Sequence, residues 1–201
     1  MTSNTTTIST SPFGSLLRTL NGTSWVYALT VWNPNDGTLK RTLIGHTGFV
    51  SELTVLQNGD LVSGSLDYSI KIWNPIDGTL KRTLIGHTNF VKALTVLQNG
   101  DLASGSDDLT IKIWNPNNGT LKRTLNGHTD DLQALKVLQN GDLASGSNDK
   151  TIKIWNPIDG TLKRTLNGHN LHVNALTVLQ NGDLASGSWY NTIKIWSTKS
   201  K

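Results

Sequence analysis

The sequence contains no cysteine and only one methionine. Without thiols it can build neither a disulfide framework nor a thiolate metal site, which fits a reducing compartment. Long apolar runs are missing too, and nothing approaches the roughly 20 residues of a membrane-spanning helix. The opening MTSNTTTISTSPFG has neither a basic start nor an apolar stretch, so it does not read as a secretory leader. Residues 1–13 are expected to form a flexible Ser/Thr-rich tail, and the expected location is intracellular, in the cytoplasm, with the nucleus as the alternative. The sequon matches at Asn4, Asn21 and Asn118 then read as chance. No segment carries a helical apolar period, and no glycine-rich phosphate loop or G-x-S-x-G elbow is present.

A third of the residues (36%) are hydrophobic, enough for a packed core, and the net charge is +4. That excess does not form a nucleic-acid footprint. Lys40-Arg41, Lys81-Arg82, Lys122-Arg123 and Lys163-Arg164 return at a fixed interval, as do Lys71, Lys112, Lys153 and Lys194. Repetition spreads these charges around the molecule instead of gathering them on one face. On outer strands they also discourage edge-to-edge association.

The interval is 41 residues, marked by Trp32, Trp73, Trp114, Trp155 and Trp196, and by glycine–histidine pairs ending at His46, His87, His128 and His169. Residues 86–126 and 127–167 agree at 32 of 41 positions. Each copy reads as four short strands: in one, 79–85, 91–97, 102–106 and 111–114. The Asn-Gly of QNGD is a strong hairpin signal, and the proline of NPNNG cannot serve a central ladder. One such sheet cannot bury both faces, whereas a radial stack can.

A repeat of about forty residues with Gly-His near its start and IxIW near its end resembles the WD-repeat β-propeller family. The resemblance covers 14–201, read as one domain of about four full blades plus a stunted N-terminal blade from about 26–32 and 38–44. Every aspartate of the family's Trp-Asp pair is replaced here, by Asn33, Asn74, Asn115, Asn156 and Ser197. Asparagine caps such a turn nearly as well. The resemblance also implies a hydrogen-bond network in each blade. Its members would be His46, Ser63, Asp67 and Trp73; His87, Ser104, Asp108 and Trp114; then His128, Ser145, Asp149 and Trp155. The last copy keeps His169, Ser186 and Trp196 but has Tyr190 in place of the aspartate, which marks its blade as the loosest.

Family repeats are offset from blades, so the last copy supplies only three strands. GSLLRTLNG (14–22) matches GTLKRTLNG (119–127) at all but two positions. Strand 15–20 is therefore expected to pair with the last blade and close the ring. In the N-terminal unit ALTV (28–31) matches Ala93–Val96, so an inner strand runs directly into WNP and a central hairpin is absent. Two alternatives stay open: a ring completed by oligomerisation, and an incomplete or internally deleted form of a larger propeller.

Ser, His and Asp are also the types of a hydrolytic triad. Here the set recurs in several copies, in strands between blades, so it is expected to be structural and the protein not an enzyme. No metal or cofactor is expected, and His172 stands alone. Function is expected in loops. The copies differ most after Gly-His and in the turn before the third strand, two loop types on one end of the ring. That face carries Phe49, Tyr68, Phe90, Lys92, Asp107, Asp130, Asp131, His172, Trp189 and Tyr190, and is expected to bind a protein or peptide, with no nucleic-acid or membrane partner. A lectin-like binder of repeated ligands, and a regulatory sensor fragment of a larger WD-repeat protein, are the alternatives.

Overall fold

A computed structural model describes residues 27–190 and 192–197. The expected tail over 1–13 and the closing strand 15–20 lie outside them. All regular structure among the described residues is β, and no helix there is long and apolar enough to cross a membrane.

Three sheets are complete four-stranded antiparallel meanders. The first blade holds β3 (Val50–Val55), β4 (Leu61–Ser65), β5 (Ile70–Trp73) and β6 (Leu80–Leu84). The second holds β7 (Val91–Val96), β8 (Leu102–Ser106), β9 (Thr110–Trp114) and β10 (Leu121–Asn126). The third holds β11 (Leu132–Val137), β12 (Leu143–Ser147), β13 (Ile152–Trp155) and β14 (Leu162–Leu166). The last has three strands among the described residues: β15 (Val173–Val178), β16 (Leu184–Ser188) and β17 (Thr192–Trp196). Before them, β1 (Tyr27–Trp32) pairs with β2 (Leu39–His46) as a hairpin.

Local chemistry sets these elements. In the QNGD turn Gly100 sits at φ +85°, in left-handed space that glycine enters freely, and Asn99 and Asp101 bond each other. The LASGS strand β8 is buried along its whole length, because a neighbouring blade covers each face; small side chains suit that position. In β9 Ile111 and Ile113 are buried, while Lys112 on the other face reaches Thr124 Oγ1 at 3.2 Å.

The inner strands β3, β7, β11 and β15 lie side by side, and the core is a series of seams between blades. Ile70, Ile72 and Leu84 of the first blade pack with Val91, Leu102 and Trp114 of the second. Ile111, Ile113 and Leu125 do the same with Leu132, Leu143 and Trp155. Each buried tryptophan thus bonds blade to blade. Full burial of a side chain of this size contributes about 3 kcal/mol. A Cβ on Gly86 would come within 2.9 Å of Trp114 Cη2, so the glycine of each Gly-His pair lets the ring lie against the chain.

The N-terminal hairpin differs from expectation. Leu29, Val31 and Trp32 pair with Leu43, Arg41 and Leu39 in the register by which Ile70, Ile72 and Trp73 pair with Leu84, Arg82 and Leu80. Strand β1 therefore fills the place of a third strand, not of an inner strand, although its text matches an inner one. The WNPNDG turn dictates that register, and Leu29 and Val31 supply the apolar alternation. With no second strand beside it among the described residues, Trp32 donates to Thr30 Oγ1 at 2.9 Å. Leu29 and Leu43 seal the hairpin onto Trp73. At the opposite end, Ile193 and Ile195 are 78% and 64% exposed, where the equivalent Ile152 and Ile154 are buried.

Candidate functional site

Each complete blade encloses a polar network at its edge. In the second, His87 Nε2 lies 2.7 Å from Ser104 Oγ, and Trp114 Nε1 donates to the same oxygen at 2.8 Å. The serine proton therefore goes to Nε2, which leaves Nδ1–H to donate to Asp108 Oδ2 at 2.7 Å. His46, Ser63, Asp67 and Trp73 meet in the same geometry, as do His128, Ser145, Asp149 and Trp155. The aspartates accept more than the histidine proton. Asp67 takes the amides of Thr47 and Ser69 and the Ser69 hydroxyl. Burial alone would raise its carboxyl, but these bonds outweigh burial and hold it at about 2. Asp108 and Asp149 are likewise held well below the usual carboxylate range.

The second serine of each SGS also takes part, which the sequence reading missed. Ser106 donates to Asn89 O at 3.1 Å and accepts the Asp108 amide at 3.0 Å, and Ser65 and Ser147 repeat this. The unchanged SGS in all four copies was the available signal. In the last blade the network is incomplete. His169 and Trp196 still bond Ser186, but His169 Nδ1 has the Thr192 hydroxyl at 3.5 Å, and the buried Ser188 Oγ has no partner among the described residues. Chemically, these sets do not support hydrolysis. Ser63, Ser104 and Ser145 are wholly buried, and each oxygen is already committed to an indole N–H.

The two variable loop types do share one end of the blades, and one backbone bond joins them each time. The amides of Leu66, Asp107, Asn148 and Trp189 donate to the carbonyls of Phe49, Phe90, Asp131 and His172 at 2.8 Å, 2.9 Å, 2.9 Å and 3.2 Å. A common frame thus presents a different residue pair in each blade. Tyr68, Leu109 and Lys150 occupy left-handed backbone at one shared position of these turns, and Tyr190 does so one position earlier in the last.

The structure brings some of the face residues together. Across the first seam Tyr68 and Phe90 pack at 5.7 Å between ring centres, and Lys92 Nζ sits 5.3 Å over Phe90 and 3.8 Å from Asp107. Asp130 and Asp131 add their charge to Asp107 from the next blade. His172 packs on Trp189 at 4.9 Å. The Asn174 amide, with its oxygen toward the indole, accepts from Trp189 Nε1 at 2.9 Å. Trp189 is 52% exposed and Tyr190 80%. Phe49 is exposed on the loop of the first blade. Among the described residues no cluster of acids and histidines could hold a metal ion.

Radially stacked antiparallel blades, sealed by tryptophan seams and closed polar networks, define a β-propeller architecture. Comparison with known proteins agrees. The chain belongs to the family described as WD40, WD domain, G-beta repeat, whose profile matches residues 37–74, 78–115, 119–156 and 160–197. It is similar to the crystal structure of the WD40 beta propeller domain of Doa1, with 29% identity and a TM-score of 0.78 over 86% of this chain and 58% of that one. The chain therefore spans a little over half the length of that domain. No curated protein sequence matches it. WD40 propellers generally mediate protein–protein interactions, and the fold is typically a non-catalytic scaffold.

Proposed function

We propose that this chain is a protein-interaction module that binds one protein or peptide partner across the face carrying Phe49, Tyr68, Phe90, Trp189 and Tyr190. The supporting observation is the contrast between frame and content. The same backbone bond holds the two loops in every blade, yet the bonded pairs are Phe49–Leu66, Phe90–Asp107, Asp131–Asn148 and His172–Trp189. A ligand repeated around the ring would meet equal pairs, whereas these suit one asymmetric partner. The opposite end varies less: Asp60, Asp101 and Asp142 of its turns are neutralised by Lys81, Lys122 and Lys163 at 2.6–2.7 Å. Arg82 and Arg123 bond carbonyls of the next blade's turn. The repeated basic residues thus serve the scaffold, which weighs against a nucleic-acid role.

The test is affinity capture with the full chain beside its Phe90→Ala/Trp189→Ala form. Partners retained by the first and lost by the second are the expected result. Retention by both defeats the assignment to this face, and several ligand copies per chain would favour the repeated-ligand reading instead.

A further inference from the structure

Two groups of acids recur through the copies and are satisfied within the fold: Asp60, Asp101 and Asp142 of the QNGD turns pair with lysine, and Asp67, Asp108 and Asp149 of the networks accept the Nδ1–H of histidine. Asp107, Asp130 and Asp131 belong to neither group. They occur once each, in the two variable loops, where the second and third blades adjoin. Asp107 is held in an unusual way. Its side chain is only 9% exposed, yet Oδ1 has no hydrogen-bond donor among the described residues. Its cation, Lys92 Nζ, is 3.8 Å away, beyond hydrogen-bond length, and is shared with the Phe90 ring. A buried carboxylate oxygen left without a donor is costly, and folding alone gives no reason to place one here. Asp131 Oδ2 has only the Asn148 amide, at 3.5 Å, and Asp130 lies exposed beside it. On a chain of net charge +4, this seam is a local concentration of negative charge.

We propose that the partner presents an arginine or lysine to this seam, received by Asp107, Asp130 and Asp131, while its flanking chain lies over the Tyr68–Phe90 pair; the partner segment is a basic peptide. The inference rests on the reading of this face as the partner site and adds the chemistry of its ligand. An incoming guanidinium or ammonium displaces the partly exposed Lys92 from beside Oδ2 and gives the Asp107 carboxylate the charge-assisted bond it lacks. The aromatic pair beside it offers a surface for the stem of the same side chain or its neighbour. The electrostatics agree. Burial, opposed by Lys92 and reinforced by Asp131, Asp108 and Asp130, pushes the Asp107 carboxyl up to about 6, and a second cation relieves that.

The test pans a phage-displayed library of random dodecapeptides against the full chain. Enriched peptides are then titrated by fluorescence anisotropy against the wild type, Asp107→Asn/Asp131→Asn and Phe90→Ala, with scrambled peptides of equal charge as controls. Expected are peptides sharing an arginine or lysine, whose affinity falls about tenfold or more in the acid variant and when that residue becomes glutamine. Should Asp107→Asn disturb the loop, Asp130→Asn, at an exposed position, carries the same expectation. Peptides sensitive to Phe90→Ala but lacking a basic residue, and indifferent to the acid variants, would overturn the inference and leave the face assignment standing. Peptides indifferent to all variants would remove both, as would a library that yields none.

Discussion

Asp108 Oδ2 stands 2.7 Å from His87 Nδ1 in the second blade, whereas Tyr190 holds the matching position in the last, and among the described residues His169 Nδ1 has only the Thr192 hydroxyl at 3.5 Å. The consequence spreads through the turn. Asp108 also gathers the amides of Thr88 and Thr110 and the Thr110 hydroxyl, so its absence orphans several groups at once. Tyr190 moreover adopts φ +57°, left-handed backbone that Asp67, Asp108 and Asp149 do not adopt, so the turn itself departs from those of the other blades. Tyr190→Asp is therefore expected to slow amide exchange across β15–β17 about fivefold or more, the equivalent of about 1 kcal/mol, with β7–β9 unchanged. Unchanged exchange in β15–β17 would show that the aspartate is not what the last blade lacks.

The central serine should matter in proportion to burial. Ser104→Ala strands the Trp114 indole N–H and His87 Nε2 in a closed interior, at a cost of about 2–4 kcal/mol. Ser186→Ala removes the same bonds beside the only half-buried Trp196 and should cost about half as much. Denaturant titration of both variants measures the difference. Equal losses would mean that the last blade is as closed as the others.

Much of this was legible in the sequence, for identifiable reasons. Strands expected at 91–97 and 102–106 are observed at Val91–Val96 and Leu102–Ser106, because Asn-Gly pins the turn between them. Other features depend on partners that text does not show. Residues 28–31 spell an inner strand, yet the WNPNDG hairpin makes β1 a third strand. His172 meets Trp189 only because a backbone bond joins their loops. The Tyr68–Phe90 pair crosses a seam, and the spacing between blades is set by Trp114 and its neighbours and not by anything local to either ring.

Gly86→Ala tests that spacing. The added methyl would sit 2.9 Å from Trp114 Cη2, so the ring or the Gly-His segment must move. Overpacking of this kind costs about 1–3 kcal/mol, and the loss should appear in thermal unfolding together with a changed tryptophan fluorescence maximum. An unaltered melting temperature would show that the seam has slack.

Acid should act in opposite directions on two sets of aspartates. Asp67, Asp108 and Asp149 have folded pKa values below the unfolded one, so their stabilisation is complete above about pH 4 and is lost as pH falls through the folded values. Burial lowers His46 and His169 as well, which adds a loss that begins below about pH 6.5. Asp107 runs the other way. Its folded pKa of about 6 exceeds the unfolded value of 3.8, so ionisation weakens the fold as pH rises from about 4 to 6. Asp107→Asn removes that penalty. The variant should be more stable than the wild type by about 1–3 kcal/mol at pH 7.5, and the difference should vanish at pH 4. A stability gain here alongside a loss of peptide binding would identify Asp107 as a residue held at the expense of the fold for the sake of a ligand. Equal melting temperatures at pH 7.5 would show instead that Lys92 already neutralises it.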